Sequence, residues 1–384
     1  MINKILTKIK TIITKDEKDR LFSFESFLSV LSIIYGRAIK LKEFCHKNKI
    51  LKSKELPCKV ISIGNITAGG TGKTPMTIKT AQILKNLGYK TAVISRGYKG
   101  SAEKTGGIVS NGQNIFMKPE EAGDEPFMMA AKLKNIPVVV GQDRYRAGML
   151  AIKKFNPDVI VLDDAFQHIK LKRNVDIVLL DCNSPFGNSH LLPRGILREP
   201  PSSLSRADAL IITRFNFASD QIRQTTIDKI KSTAHGKQIF ISSHVPNIYK
   251  PVKNKDNILS MNLQPCAPDF LHKRRIIAFS GLAQNNNFRK TVKTLKCNLI
   301  NFLDFPDHHN YTETDLKTII KTAVDAEAEF ILTTEKDYVR ILSRTSWPIE
   351  LVVVGIELSM GDDESSFINF IKNRLEIGKN STKA

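Results

Sequence analysis

A doubly wound α/β fold with a mostly parallel sheet, joined to a second, smaller α/β domain, is predicted by three observations. Short, continuous β-branched runs recur through the chain, the composition required of strands buried on both faces of a parallel sheet. They alternate with stretches of helical period. The first run breaks into a glycine-rich turn ending Gly72-Lys73-Thr74, just where a helical pattern begins.

The elements follow in chain order. A basic N-terminus, with lysines spaced among isoleucines, leads into an apolar stretch over residues 21–36 that Glu25 interrupts. That stretch is too short to span a bilayer, which takes about 20 apolar residues. It lies too far from Met1, and lacks the small-residue cleavage site, for an ordinary signal peptide. Ser23, Ser26, Ser29 and Ser32 recur at a spacing that makes one helical face small and polar. Two readings stand: a helix packed into the core of its domain, or an interfacial helix whose flanking Lys and Arg meet anionic lipid. Residues 60–63 read as a strand, residues 77–87 as a helix closed by Gly88, and residues 90–95 as a strand running into Arg96-Gly97-Tyr98. Residues 136–140, 159–162 and 175–180 continue the sheet. A polar, proline-containing segment over residues 183–206 ends this half and places the domains at 1–205 and 206–384, the second expected to close over the active site. The second half repeats the α/β pattern, with strands at 209–213, 238–242, 275–280, 329–333 and 350–354. The tail after Gly378 is expected to fray.

Composition narrows the partners. A chain of 384 residues with 41% hydrophobic and 25% charged residues is an ordinary globular one, long enough for two domains. Its formal charge of +20 favours polyanions: nucleic acid, an anionic membrane surface or a phosphorylated substrate. Cys45, Cys58, Cys182, Cys266 and Cys297 are scattered without metal-ligand spacing, which argues against a disulfide framework or structural zinc and fits a reducing cytoplasm. Nucleic acid is disfavoured, because there is no interleaving of arginine with aromatics and a single tryptophan.

Chemistry concentrates in two motifs. Thr67-Ala68-Gly69-Gly70-Thr71-Gly72-Lys73-Thr74 follows a strand and opens a helix, the context of a phosphate-binding loop, so the sheet is expected to be of the P-loop NTPase type. Backbone N–H groups freed by the glycines can cradle phosphate, Lys73 can reach the outer phosphates, and the Thr74 hydroxyl can ligate Mg²⁺. Thr67 stands where the common pattern has its first glycine. Asp163 and Asp164 end the strand over residues 159–162, the crevice end of an α/β sheet, where a carboxylate can hold Mg²⁺. An Asp-Asp pair followed by Gln167 and His168 differs from the helicase-type Asp-Glu. A nucleotide-gated partner-binding switch is the other class that a bare loop would serve.

A series of motifs then makes the chain specific. The loop, Ser95-Arg96-Gly97-Tyr98, Gly123-Asp124-Glu125-Pro126, Asp163-Asp164-Ala165-Phe166-Gln167-His168, the segment from Leu192 to Pro200, Asp307-His308-His309 and Thr334-Glu335-Lys336-Asp337 occur in this order. Together they resemble the tetraacyldisaccharide 4′-kinase family, the lipid A kinases of Gram-negative bacteria, whose loop likewise lacks the first glycine. The resemblance implies ATP- and Mg²⁺-dependent phosphorylation of the 4′-hydroxyl of a tetraacylated glucosamine disaccharide 1-phosphate, giving lipid IVA. It implies a peripheral protein on the cytoplasmic face of the inner membrane, with no protein partner.

Site roles follow from the same resemblance. It points to Asp124 as the base, partnered by a histidine for which His308 is chosen over His309. Lys73 and Asp164 join them as catalytic residues, while Thr74, Asp163 and Asp164 hold the metal. Taken alone, Asp124 reads equally as a helix N-cap. Arg96, Tyr98, Arg144, Gln167, His168, Arg194 and Arg198 are the candidates for holding the substrate, since arginine suits bidentate phosphate recognition. In so basic a chain each arginine also reads as a solvated charge or a structural ion pair. Residues 334–337 have no assigned role, and neither the basic residues before Leu21 nor the stretch at 247–269 carries a motif.

Overall fold

The structure, a computed structural model, describes residues 23–252, 261–342 and 346–376. The basic residues before Leu21 and the tail after Gly378 lie outside these. Helix α1 spans Phe24–Lys47. Strand β1 (Lys59–Asn65) leads through the glycine-rich turn into α2 (Lys73–Asn86), followed by β2 (Thr91–Ser95) and β3 (Gly107–Ser110). Next come the single turn α3 (Pro119–Ala122), α4 (Asp124–Lys132), β4 (Val138–Val140), α5 (Arg144–Phe155) and β5 (Val159–Asp163). Strands β6 (Val175–Asp181) and β7 (Ala209–Thr213), α6 (Asp220–Thr233), and strands β8 (Gln238–Ile241), β9 (Ser243–Pro251) and β10 (Leu263–Pro265) follow. The last stretch is β11 (Arg275–Ser280), α7 (Asn285–Thr294), β12 (Asn298–Asp304), α8 (Glu313–Asp325), β13 (Phe330–Thr334), α9 (Glu335–Ile341), β14 (Glu350–Ser359) and α10 (Asp363–Glu376).

These elements form two compact units, each made of separated stretches. Met1–Thr77, Asp158–Ser243 and Ser359–Ala384 make one, and Ile78–Pro157 with His244–Leu358 make the other. The units therefore do not coincide with the expected ranges 1–205 and 206–384.

In the first unit five parallel strands lie in the order β5-β1-β6-β7-β8. Strand β1 is central, with Ile61 opposite Val161 on one side and Ile63 opposite Ile177 on the other. Flanked on both edges and covered on both faces, it is buried from Val60 to Asn65, which is why its sequence is continuously apolar instead of alternating. Helix α10 packs on β8, with Phe367 and Phe370 against the Phe240 ring at 5.2 and 5.7 Å. Helix α1 lies on the segment between β6 and β7. There the Ser32 Oγ donates to Leu191 O at 2.8 Å and accepts from Arg194 N at 3.0 Å, and the Tyr35 hydroxyl donates to Arg198 O at 3.0 Å.

In the second unit β4 pairs parallel with β2 and antiparallel with β3. Strand β4 starts at Val138 and not at Ile136, because Pro137 has no N–H to give a ladder; its carbonyl instead accepts from Val93 N at 2.9 Å. A six-stranded sheet, in the order β10-β9-β14-β13-β11-β12, carries the remainder. Its parallel core, β11 to β14, packs Phe279 against Tyr311 and Trp347 at 5.4 and 6.2 Å.

Candidate active site

The phosphate loop is fixed at both ends. Gly64 has no room for a side chain, since a Cβ there would lie 2.9 Å from Phe166 N. That close approach brings the turn after β5 against β1. Gly69 and Gly72 take φ of 110° and 88°, the left-handed region that glycine enters without steric cost. Asn65, at the end of β1, donates to the Thr71 hydroxyl at 2.9 Å, and the Arg214 guanidinium, itself paired with Asp181, donates to Gly70 O. Thr67 and Ala68 are tied to the segment before β7, with Ala68 N donating to Ile196 O at 2.6 Å and Arg198 N to Ile66 O at 2.7 Å. Lys73 begins α2, its ammonium 3.4 Å from Gly69 O and 3.8 Å from Asp164 Oδ1.

Asp163 and Asp164 stand side by side at the end of β5 but in different settings. Asp163 is buried and accepts from the Thr77 hydroxyl at 3.0 Å. Asp164 has φ 47° and receives Arg198 Nη1 on both oxygens, at 2.9 and 3.0 Å. Thr74, Asp163 and Asp164 offer hard oxygen donors, the chemistry that Mg²⁺ takes. Two carboxylates and a hydroxyl fit an ion whose remaining ligands are nucleotide phosphate and water. Among the described residues no group of three or more His, Cys, Asp or Glu stands ready to hold a metal alone. Gln167 donates to Asn65 O at 2.8 Å, and His168 lies half-buried in the same turn. Arg194 is 1% exposed, and its backbone N donates to Ser32 Oγ of α1 at 3.0 Å.

The second unit brings a carboxylate, an imidazole and two cations together. Gly123 has φ 88°, and a Cβ on it would lie 2.8 Å from Tyr98 O, so only glycine seats α4 against the turn after β2. Asp124 is then the first residue of α4, not its N-cap, and its carboxylate lies in the positive field of the helix N-terminus. His308 Nδ1 is 3.2 Å from Asp124 Oδ2, and the His308 ring meets Tyr98 edge-on at 5.4 Å. Arg340 from α9 donates to the same Oδ2 from Nε at 2.8 Å and lies 2.7 Å away through Nη2. Lys336 Nζ is 3.3 Å from His308 Nε2 and 3.1 Å from Glu125 Oε1. Burial alone would raise the Asp124 pKa, but the hydrogen bond from His308 and the charge and hydrogen bonds of Arg340 together hold it below the ordinary carboxylate range. His309 is engaged elsewhere, 2.9 Å from Asp315 Oδ2 and stacked on Phe305.

Two other arginines of this unit are already engaged. Arg96 Nε donates to Glu103 Oε1 at 2.6 Å and is half exposed. Arg144 is 4% exposed and donates to Gly141 O at 2.9 Å, a buried setting like that of Arg194. Sequence reasoning passed over Thr77, Arg214 and Arg340. Only Thr77 left a trace, one helical turn beyond Lys73 on the loop helix.

The chain resembles one family of known proteins over nearly its whole length. The family model described as tetraacyldisaccharide-1-P 4′-kinase matches residues 24–376. The tetraacyldisaccharide 4′-kinase of Desulfatibacillum aliphaticivorans is 35% identical over 98% of this chain and 100% of its own length. That of Syntrophus aciditrophicus is 41% identical over 94% of this chain and 96% of its own. Among solved structures, LpxK from Aquifex aeolicus in complex with ATP superposes with a TM-score of 0.72 at 32% identity, covering 92% of this chain and all of that one. With the phosphate loop, the Asp163-Asp164 turn and the Asp124–His308 pair all inside the matched region, the chain belongs to the tetraacyldisaccharide 4′-kinase family.

Proposed function

We propose that the protein transfers the γ-phosphoryl group of ATP to the 4′-hydroxyl of a tetraacylated glucosamine disaccharide 1-phosphate, the step that gives lipid IVA in lipid A biosynthesis. The observation that carries this reading is identity with a tetraacyldisaccharide 4′-kinase over that protein's whole length, at 35%. In the reaction the bond from O4′ to the γ-phosphorus forms, the bond from that phosphorus to the bridging oxygen breaks, and ADP leaves. Phosphoryl transfer passes through a loose transition state, so positioning and charge neutralisation supply most of the catalysis. Lys73 and the loop amides suit the phosphate oxygens, and Thr74, Asp163 and Asp164 suit Mg²⁺, which would neutralise charge on the same phosphates. Asp124, oriented by His308, takes the hydroxyl proton. Arg96, Tyr98, Gln167, His168 and Arg198 remain the candidates for contacts to substrate.

The acylated acceptor resides in a membrane, so we place the protein peripherally on the cytoplasmic face of the inner membrane. No helix of the described residues is long and apolar enough to cross one. Helix α1 supports a surface attachment. The face with Leu28, Ser32 and Gly36 is buried, while Phe27, Val30, Ile34, Leu41 and Phe44 are each more than half exposed. An unpaired apolar stripe edged by lysines suits the boundary between headgroups and acyl chains. The deciding assay is transfer of ³²P from ATP to detergent-dispersed disaccharide 1-phosphate. Turnover that depends on the glycolipid supports the reading, and ATP hydrolysis stimulated by DNA or RNA, without labelled lipid, overturns it.

A further inference from the structure

Three donors crowd one oxygen of Asp124. His308 Nδ1, Arg340 Nε and Arg340 Nη2 all lie on Oδ2, at 3.2, 2.8 and 2.7 Å, and among the described residues Oδ1 accepts no hydrogen bond. The other end of the guanidinium is anchored: Arg340 Nη1 donates to Asp337 Oδ1 at 2.8 Å and to Gly281 O at 3.2 Å. Asp337 is itself immobilised, fully buried and accepting from Gly281 N at 3.1 Å and from the Thr334 hydroxyl at 2.7 Å. We infer that Arg340 is a positioning residue for the phosphoryl-transfer base: clamped on Asp337, it fixes Asp124 through Oδ2 and leaves Oδ1 as the atom that receives the acceptor's proton.

Stability does not account for the arrangement, because a buried carboxylate–guanidinium pair gains little once desolvation is counted. Geometry does. A guanidinium is planar and rigid, so two carboxylates on its two edges are held at a set distance and angle, which an ammonium cannot do. Lys336 completes the group. Its ammonium lies 3.3 Å from His308 Nε2 and Arg340 Nη2 lies 3.2 Å from His308 Nδ1, so a cation faces each ring nitrogen of the histidine beside Asp124. A carboxylate surrounded by cations is a weak base, and a loose transition state asks for one, since the hydroxyl keeps its proton until the new P–O bond is largely formed. The groups facing Asp124 are His308, Arg340 and Lys336, with Glu125 on Lys336, Asp307 at 4.0 Å from His308 Nε2, and Asp337 behind Arg340.

The inference rests on Asp124 as the base, so Asp124→Asn is assayed alongside. If that variant turns over normally, the base assignment falls; if it is slow while Arg340→Gln is normal, only the inference about Arg340 falls. Arg340→Gln is expected to lower kcat by at least about tenfold, within the 10²–10⁴-fold that a placed base contributes, and to leave both KM values within about threefold. Its acidic limb of kcat should move to higher pH, because Asp124 loses the cation that stabilises its ionised form. A merely structural residue would not move that limb. Arg340→Lys keeps the charge but not the fork, so its limb should stay near that of the unaltered protein while kcat remains low. Should Arg340→Gln leave Asp337 stranded and fail to fold, Arg340→Gln with Asp337→Asn carries the same test with a neutral pair. An unchanged limb in Arg340→Gln, or in the double variant where the single one does not fold, overturns the proposal, as does an undiminished kcat in Arg340→Lys.

Discussion

Glu199 is a carboxylate held where ionisation is costly. Only 4% of it is exposed, and burial, assisted by Glu43, pushes its pKa up to about 7 although the Arg206 guanidinium pulls the other way. The folded pKa thus lies above the unfolded one, so the stability that Glu199 contributes is fully present below about pH 4.5 and is lost as pH rises through 7. Glu199→Gln carries no such loss, and Arg206 keeps Glu43 at 3.2 Å. The melting temperature of the variant should therefore gain on that of the unaltered protein between pH 5 and pH 8, by the equivalent of at most about 3 kcal/mol. A constant difference across that range would show that Glu199 is ionised throughout. The Asp124–His308 pair permits a second test at this scale. With Nδ1 3.2 Å from Oδ2 the two act as one unit, so the double variant Asp124→Asn with His308→Ala should be about as slow as the worse single one. Multiplying losses in kcat would mean independent contacts.

At the scale of the element, α1 shows what a periodic pattern leaves open. The serine spacing marks one face as small and polar, yet it does not say which face the protein covers. The answer depends on Leu191 and Arg194, more than 150 residues later, whose backbone groups the Ser32 hydroxyl satisfies at 2.8 and 3.0 Å. The face with Phe27, Val30 and Ile34 is therefore left outside. Replacing Phe27, Val30 and Ile34 together by serine should abolish pelleting with anionic phospholipid vesicles and leave the melting temperature nearly unchanged, because these side chains are exposed. Raising the salt should weaken whatever binding persists, as screening shortens the reach of the flanking lysines. Ser32→Val should do the reverse, retaining vesicle binding but lowering stability by about 1–3 kcal/mol, since it strands buried backbone groups. Vesicle binding undiminished in the triple variant would assign the helix to the core. The strands were more legible. Residues 209–213 and 275–280 form strands at the expected bounds, because a run buried on both faces has to be apolar throughout. Strands β9, β10 and β12 were not foreseen, since β10 and β12 lie at the sheet edges and β9 beside β10 is only partly buried, so all three read as ordinary polar chain.

For the whole molecule the sequence marks candidate residues better than it marks which of them meet. Glycine loops and strand-end carboxylates are visible because local backbone chemistry demands them. Arg340 is invisible, as one arginine among the 58 basic residues of a chain whose net charge is +20; only a fold that lays α9 beside α4 singles it out. The division into units is equally hidden, since residues 78–157 join residues 244–358 through long-range packing and not through any break in composition. That division has a functional consequence. Lys73 and Thr74, with Asp163 and Asp164, belong to one unit, and Asp124, His308 and Arg340 to the other, so nucleotide binding and proton acceptance should separate under mutation. Lys73→Ala should weaken ATP binding, measured by calorimetry, by about tenfold or more, and should lower turnover further through the lost charge contact in the transition state. Asp124→Asn should keep the ATP affinity within about threefold while kcat falls by about 10²–10⁴-fold. Combining the two should multiply their effects on turnover, because neither substitution removes a partner of the other. An ATP affinity more than tenfold weaker in Asp124→Asn would place that carboxylate in the nucleotide site, and its role as the base would then fail.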